Sequence, residues 1–329
     1  MRAVQVKKGA YISLVISSLL LIVKFGAFYL THSQAVFSDA LESIVNVVAA
    51  SLDLFVIYIS SKPADRNHPY GHGKAEYFSS TVEGALISFA AVMIAIESVH
   101  ALLSSHSIKR IDMGLALIIA AGIANALLGL YLMRLGKKSQ SAALVASGKH
   151  VLSDFYTSAA VIAGLFAVRV TGIEWLDPVA AMVVAVVLAV TGFNLVRESV
   201  HALMDAEDTT LIDRIAAAFT KNRRPGIIRI HHTRVIRAGS YHHIDAHVVV
   251  PEFWDIATAH EETGQFEEDV ISSYEHEGEV HFHIDPCRRV YCHACDLADC
   301  LIRREPFATL IPFTFAELTS PTEPEELQH

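Results

Sequence analysis

The chain has 329 residues, 52% of them hydrophobic and 19% charged, with a formal net charge of -9 at pH 7. It is too apolar on average for an ordinary soluble domain. It is also too acidic for a nucleic-acid partner, whose phosphates call for a basic surface.

The apolar residues are concentrated in the first two thirds. Six segments, 9–30, 36–60, 77–103, 113–133, 142–168 and 178–195, each have the roughly 18 or more residues that cross a bilayer. Buried core helices of a soluble protein are rarely this long six times running. Arg2, Lys7 and Lys8 precede the first segment, but it is too long for a cleavable signal peptide and lacks a small-residue cleavage site. Arg2, Lys7, Lys8, Lys62, Arg66, Lys74, Arg134, Lys137 and Lys138 fall on one side of the membrane, against Lys109, Arg110 and Arg169 on the other. This bias predicts that both termini are cytoplasmic.

The first segment carries one charge at depth, Lys24, which either snorkels to an interface or pairs with a membrane carboxylate. In the second, Asp39, Glu42 and Asn46 lie on one helical stripe. Asp39 is nearest the outer end, where water is expected to solvate it, whereas Glu42 and Asn46 are deeper. Asp53 continues the stripe, either lining an entry path or serving structure. The following loop contains Asp65, His68 and His72, an oxygen and two imidazoles suited to a metal ion. Alone, that spacing also fits a solvated loop.

In segments three and four, Glu97 is expected to be solvated near the far interface, and Glu83 to line the cytoplasmic vestibule; Asn125 has no assigned chemistry. The fifth segment places His150 and Asp154 four residues apart on one helical face. A carboxylate at membrane depth costs several kcal/mol unless it meets a cavity, partner or ion, so this pair marks a functional site. Glu42 and Asn46 are the candidates to face it. The sixth segment has mainly small and β-branched residues and suits packing.

After Leu195 the composition changes, and a second domain reads from Asp205 to Pro286. Residues 208–222, 227–237, 241–250, 255–275 and 279–284 read as helix, strand, strand, helix, strand, with clear alternation along 243–250. Two helices over a three-stranded sheet make a small α+β domain. It holds His231, His232, His242, His243, His247, His260, His281 and His283, and this density beside Asp285 favours a metal site. All four cysteines follow in one short run: Cys287, Cys292, Cys295 and Cys300. A reducing cytoplasm disfavours disulfides there, leaving a thiolate metal site or free thiols. From Thr319 the chain reads as a disordered acidic tail.

Together, these landmarks resemble the cation diffusion facilitator family of divalent-metal exporters. They are Glu42 and Asn46 on helix 2; the run Pro63-Ala64-Asp65-x-x-His68-x-x-Gly71-His72-Gly73-Lys74-x-Glu76; His150-x-x-x-Asp154 on helix 5; and a tail domain ending His283-Ile284-Asp285-Pro286. The similarity runs from about residue 9 to 287. It implies a homodimer of α-helical membrane subunits, each with six transmembrane helices (1–204) and a ferredoxin-like α+β cytoplasmic domain (205–286). Here a Cys-rich extension and acidic tail (287–329) follow. It also implies a secondary active transporter rather than an enzyme, and one with no organic cofactor.

By the same resemblance, the transport site is Glu42, Asn46, His150 and Asp154, and Asp65, His68 and His72 form a second site. His231, His247, His260, His283 and Asp285 hold regulatory or structural ions, while Lys74 and Glu76 belong to a charged seam. Zinc exporters of the family usually carry Asp or His, then Asp, on helix 2. Glu42 and Asn46 depart from this toward a harder oxygen set, so iron(II) and manganese stand beside zinc. Divalent ions are then both cargo and ligand, exchanged for protons by alternating access. The loop charges and absent targeting signal fit a bacterial inner membrane. Two other readings stay open, a membrane-anchored metal sensor or buffer and a membrane metalloenzyme.

Overall fold

A computed structural model describes residues 2–31, 34–60, 62–103, 111–173 and 175–323. The chain divides into two compact units, Met1–Met204 and Asp205–His329.

The first unit consists of α1 (Arg2–Thr31), α2 (Gln34–Ser60), α3 (Ala75–Leu103), α4 (Ile111–Ser139), α5 (Ala142–Thr171) and α6 (Leu176–Leu203). All six are long and apolar enough to cross a membrane. Helices α4 and α6 run beyond the expected ends, because a helix continues through polar residues as long as its backbone bonds do, while hydropathy reports only the membrane-length part. Of the far-side charges, Arg169 pairs with Asp112; Lys109 and Arg110 lie outside the described residues.

Helix α3 packs on α6 and α4 on α5. The second contact determines where the His150 and Asp154 helix sits. A Cβ on Gly148 would come within 2.7 Å of the Met133 backbone nitrogen, and one on Gly129 within 3.0 Å of the Leu152 nitrogen. Small residues thus let two backbones approach, as is usual where lipid gives no hydrophobic drive to helix association.

The second unit has α7 (Thr209–Lys221), β1 (Arg229–Ala238), β2 (Tyr241–Val250), α8 (Ile256–Ser273), β3 (Glu277–Pro286), a 3-10 turn at Arg289–Ala294 and α9 (Phe315–Thr319). Asp208 caps α7 by accepting from the Leu211 N–H, and Asp255 caps α8 from Thr258. Such caps satisfy amides that have no intrahelical partner. The sheet order is β1-β2-β3, with β1 antiparallel and β3 parallel to β2. Ile244, Ala246, Val248 and Val250 alternate into a core with Ile212, Ile215 and Phe219 of α7 and Phe266 and Val270 of α8. The protein is therefore an α-helical membrane protein with an α+β C-terminal domain.

The extension after β3 packs onto this domain. Phe313 and Leu318 enter its core. The buried Arg229 pairs with Glu317 of α9 and donates to the Ile311 carbonyl at 2.9 Å. On the other side of the sheet, Tyr291 and Cys295 pack with Ile228 and Val249. The expected disordered tail from Thr319 is corrected in part: Thr319 ends α9, and Glu323 reaches Arg288 at 2.9 Å. Residues 324–329 lie outside the described residues.

Candidate metal centres

The four intramembrane residues converge from α2 and α5, and all are at most 6% exposed. The Asn46 amide joins the other two polar ends: Oδ1 lies 2.6 Å from His150 Nε2, and Nδ2 donates to Asp154 Oδ2. His150 Nδ1 is 4.0 Å from Asp154 Oδ1. Glu42 accepts from Thr157 Oγ1 at 3.3 Å and lies within hydrogen-bonding reach of Asp154. His150 Nδ1 and Asp154 Oδ1 have no hydrogen-bond partner among the described residues. Helical spacing explains the arrangement, since residues four apart on each helix stack on the face turned to the other. Two carboxylates, an amide oxygen and an imidazole make a compact donor set for a divalent cation.

Of two residues nearby, Asp39 departs from its expected setting and Lys24 takes one of its two expected roles. Asp39 is 3% exposed rather than solvated. It accepts from Lys24 Nζ at 2.8 Å and from Ser158 Oγ at 3.0 Å. Lys24 is equally buried, so it pairs with a membrane carboxylate instead of snorkelling. Its charge also acts on Glu42 and Asp154.

Further along, Asp53 accepts from Ser79 Oγ at 2.9 Å, and Glu76 from Ser60 and Ser141, each at 3.2 Å. Glu83 is 1% exposed, neither carboxyl oxygen has a hydrogen-bond partner among the described residues, and it feels the charges of Asp53 and Asp154. Its depth could have been inferred from its place between two apolar stretches, but nothing in the local spacing names its neighbours.

In the loop after α2, Asp65, His68 and His72 form a group whose ligand atoms lie within 4.8 Å of one another. Asp65 Oδ1 is 3.3 Å from His68 Nδ1, and Oδ2 is 3.5 Å from His72 Nε2. The backbone amides of His68 and Asn67 also point at Asp65 and hold its carboxyl below the usual range.

In the C-terminal domain, His231, His247 and Asp285 form a second such group. Sheet register builds it: His231 pairs with His247, and His247 with His283, so three histidines share one rung. Asp285 is 2.9 Å from His247 Nδ1, 3.7 Å from His231 Nε2 and 3.6 Å from His283 Nε2. Burial lowers the His231 imidazole from its ordinary value.

His260 lies exposed on α8, outside this group. His232, which sequence reasoning did not select, is closer: its ring and that of His231 are each 5.0 Å from His247. Adjacent residues of a regular strand face opposite ways. Here β1 is irregular between His231 and Arg234, with His232 at φ 52, and both rings approach the same neighbour.

All four cysteines are free thiols around one small cavity. They do not join either group of converging ligands.

Two family comparisons agree with this layout. Residues 10–204 match the cation efflux transmembrane domain, and residues 208–287 match the cation efflux protein cytoplasmic domain. The chain belongs to the cation efflux family, the cation diffusion facilitators. An uncharacterized transporter of Synechocystis sp. is 38% identical over 239 residues, covering 72% of this chain and 77% of that one. The manganese efflux system protein MneP of Bacillus subtilis is 29% identical over 287 residues, covering 85% and 96%. The cation-efflux pump FieF of Serratia proteamaculans is 26% identical over 287 residues, covering 86% and 93%. This cation efflux protein is thus a membrane transporter of divalent metal cations and not an enzyme.

Proposed function

We propose that this transporter exports a divalent first-row metal ion from the cytoplasm in exchange for protons, through Glu42, Asn46, His150 and Asp154. The observation that carries the reading is the Asn46 amide held between His150 and Asp154, with Glu42 beside them, in a buried face shared by α2 and α5. An arriving ion takes over those contacts, and its ligands must give up protons to bind it. On the far side, protons return to the imidazole and a carboxylate and release the ion. Histidine suits the exchange because its ordinary titration lies near physiological pH.

The donor set has only one imidazole and no thiolate, which favours iron(II) and manganese over zinc. The name of the relative MneP points to manganese as well. Asp65, His68 and His72 form an accessory site on the loop. His231, His247, His283 and Asp285 bind regulatory ions that favour a homodimer by mass action. The loop charge bias supports a setting in a bacterial inner membrane with both termini in the cytoplasm.

The test is uptake into proteoliposomes with an imposed proton gradient, comparing manganese, iron(II), zinc, cobalt and cadmium for the intact protein and Asn46→Asp. The reading predicts gradient-dependent uptake led by manganese or iron(II), with Asn46→Asp moving the preference toward zinc. Uptake indifferent to the gradient would sink the antiport, and a zinc preference in the intact protein would sink the assignment of the ion.

A further inference from the structure

The cysteine run stands apart from the transport chemistry, and its surroundings are built rather than incidental. Cys287, at the end of β3, Cys292 and Cys295, in and just after the 3-10 turn, and Cys300 line a single cavity of about 10 Å³. That is about the space of one water-sized sphere, so it suits a single atom and no organic ligand.

Backbone amides point at three of the sulfurs. Cys287 accepts from Glu252, Cys292 from Arg304 at 3.5 Å, and Cys295 from Leu297. Burial pushes the Cys287 and Cys295 thiols up, the amides opposing it only in part, so a bound cation rather than the amides alone would hold these sulfurs as thiolates. The cavity wall also includes Arg288, Arg289 and Arg303. Arg303 donates to the carbonyls of Cys292, Cys295 and Leu297 at 2.9, 3.1 and 2.6 Å, fixing the segment that carries two of the cysteines. Four thiolates around a divalent cation leave a net charge of about -2; Arg303 offsets part of it, while Arg288 and Arg289 also pair with Glu323 and Glu252.

We propose that Cys287, Cys292, Cys295 and Cys300 form a tetrathiolate site for a soft divalent cation, zinc by its chemistry, that clamps the C-terminal extension onto the sheet. Sulfur donors select zinc among abundant divalent ions, and its preferred tetrahedral geometry matches four ligands. Binding displaces the thiol protons to solvent and changes no oxidation state. No three of the sulfurs fall within 4.8 Å of one another, so ligation at about 2.3 Å per bond closes the ring around the ion. The clamp acts where Tyr291 and Cys295 cover Ile228 and Val249. It does not depend on which ion the membrane site carries.

The site can be read in the full-length protein, because the other candidate centres offer only nitrogen and oxygen donors. Metal-free, reduced protein is titrated with cobalt(II). The expected result is a thiolate-to-cobalt charge-transfer band saturating at one equivalent, displaced by zinc. It should be absent from the Cys292→Ser/Cys295→Ser variant and retained in Asp154→Ala and in His231→Ala/His247→Ala. Arg303→Ala should keep the band but weaken zinc binding on the order of tenfold, as loss of a supporting shell does.

Cys292 and Cys295 are buried, so their double variant risks misfolding, and alkylation of the unaltered protein gives a second readout. All four thiols should be protected by stoichiometric zinc and exposed by a chelator. Absence of the band, a band unchanged in the double variant, equal alkylation with and without zinc, or a disulfide among the four in protein taken from cells would each overturn the proposal.

Discussion

The two units reach similar ligand chemistry by different routes. In the membrane unit, Glu42 and Asn46 meet His150 and Asp154 because two straight helices each present residues four apart. In the C-terminal domain, His231, His247 and His283 meet because three strands align in one register and one of them bulges. The first site is closed, its members at most 6% exposed, whereas Asp285, His247 and His283 of the second remain open to solvent to different degrees. On the proposed reading the first is a carrier site, which must desolvate its ion between membrane faces, and the second a regulatory site, which needs exchange with the cytosol. Helix packing suits the former and a sheet surface the latter.

This division can be broken by mutation. The largest effect is expected from His150→Ala, which should abolish metal flux in proteoliposomes and leave one-equivalent metal binding by the C-terminal histidines unchanged in calorimetry. If both fall together, the two centres are not separate.

Next comes Glu317→Ala. Arg229 is buried, and burial already lowers its guanidinium to about 10. Removing its partner leaves an uncompensated charge at a cost of about 3–5 kcal/mol. Thermal denaturation followed by Trp254 fluorescence should shift clearly downward, while the proton-driven flux of the surviving folded protein persists.

Gly148→Leu should cost about 1–3 kcal/mol by overpacking and reduce flux, because the new side chain meets the Met133 backbone and pushes α5 away from α4. Unaltered stability and transport would show that this close contact does not set the α5 position.

The smallest effect concerns pH. His242 is buried against the Tyr274 hydroxyl at 2.8 Å and stacked on His276, and burial lowers its imidazole to about 3. The unfolded chain therefore binds a proton that the folded domain refuses between roughly pH 3 and 6.5. Stability contributed by neutral His242 is fully present above the ordinary value. It is lost as pH falls below about 6.5, at about 1.4 kcal/mol per unit. His242→Gln should flatten the dependence of the melting temperature between pH 5 and 7; an unchanged slope would assign it to other histidines.

What the sequence revealed follows the range of the interactions. The six spans, the stripe of Glu42 and Asn46 and the pair His150 and Asp154 depend on local spacing, and they were legible. So was β2, which spans Tyr241–Val250 as expected, although Val249 is buried as well as Val248 and Val250 because the extension covers the second face. The partner of Lys24 was not, although pairing with a membrane carboxylate was one of its two readings, because the pair joins two helices and Asp39, near a helix end, reads equally well as solvated. His232 was hidden because a bulge reverses the facing rule at a single residue. The pairing of Arg229 with Glu317 escaped notice because the extension has no periodicity to announce that it folds back on β1. Family resemblance supplied the ligand set of the C-terminal site, which alternation alone leaves open among nine histidines.

The central claim is that the intramembrane quartet carries the metal and exchanges it for protons. The most direct measurement is manganese and iron(II) uptake into proteoliposomes at fixed proton gradient, with lumenal pH recorded at the same time, for the intact protein and Asp154→Ala. The account predicts uptake with concurrent proton efflux in the intact protein and neither in the variant. Gradient-driven uptake that survives in Asp154→Ala would contradict it.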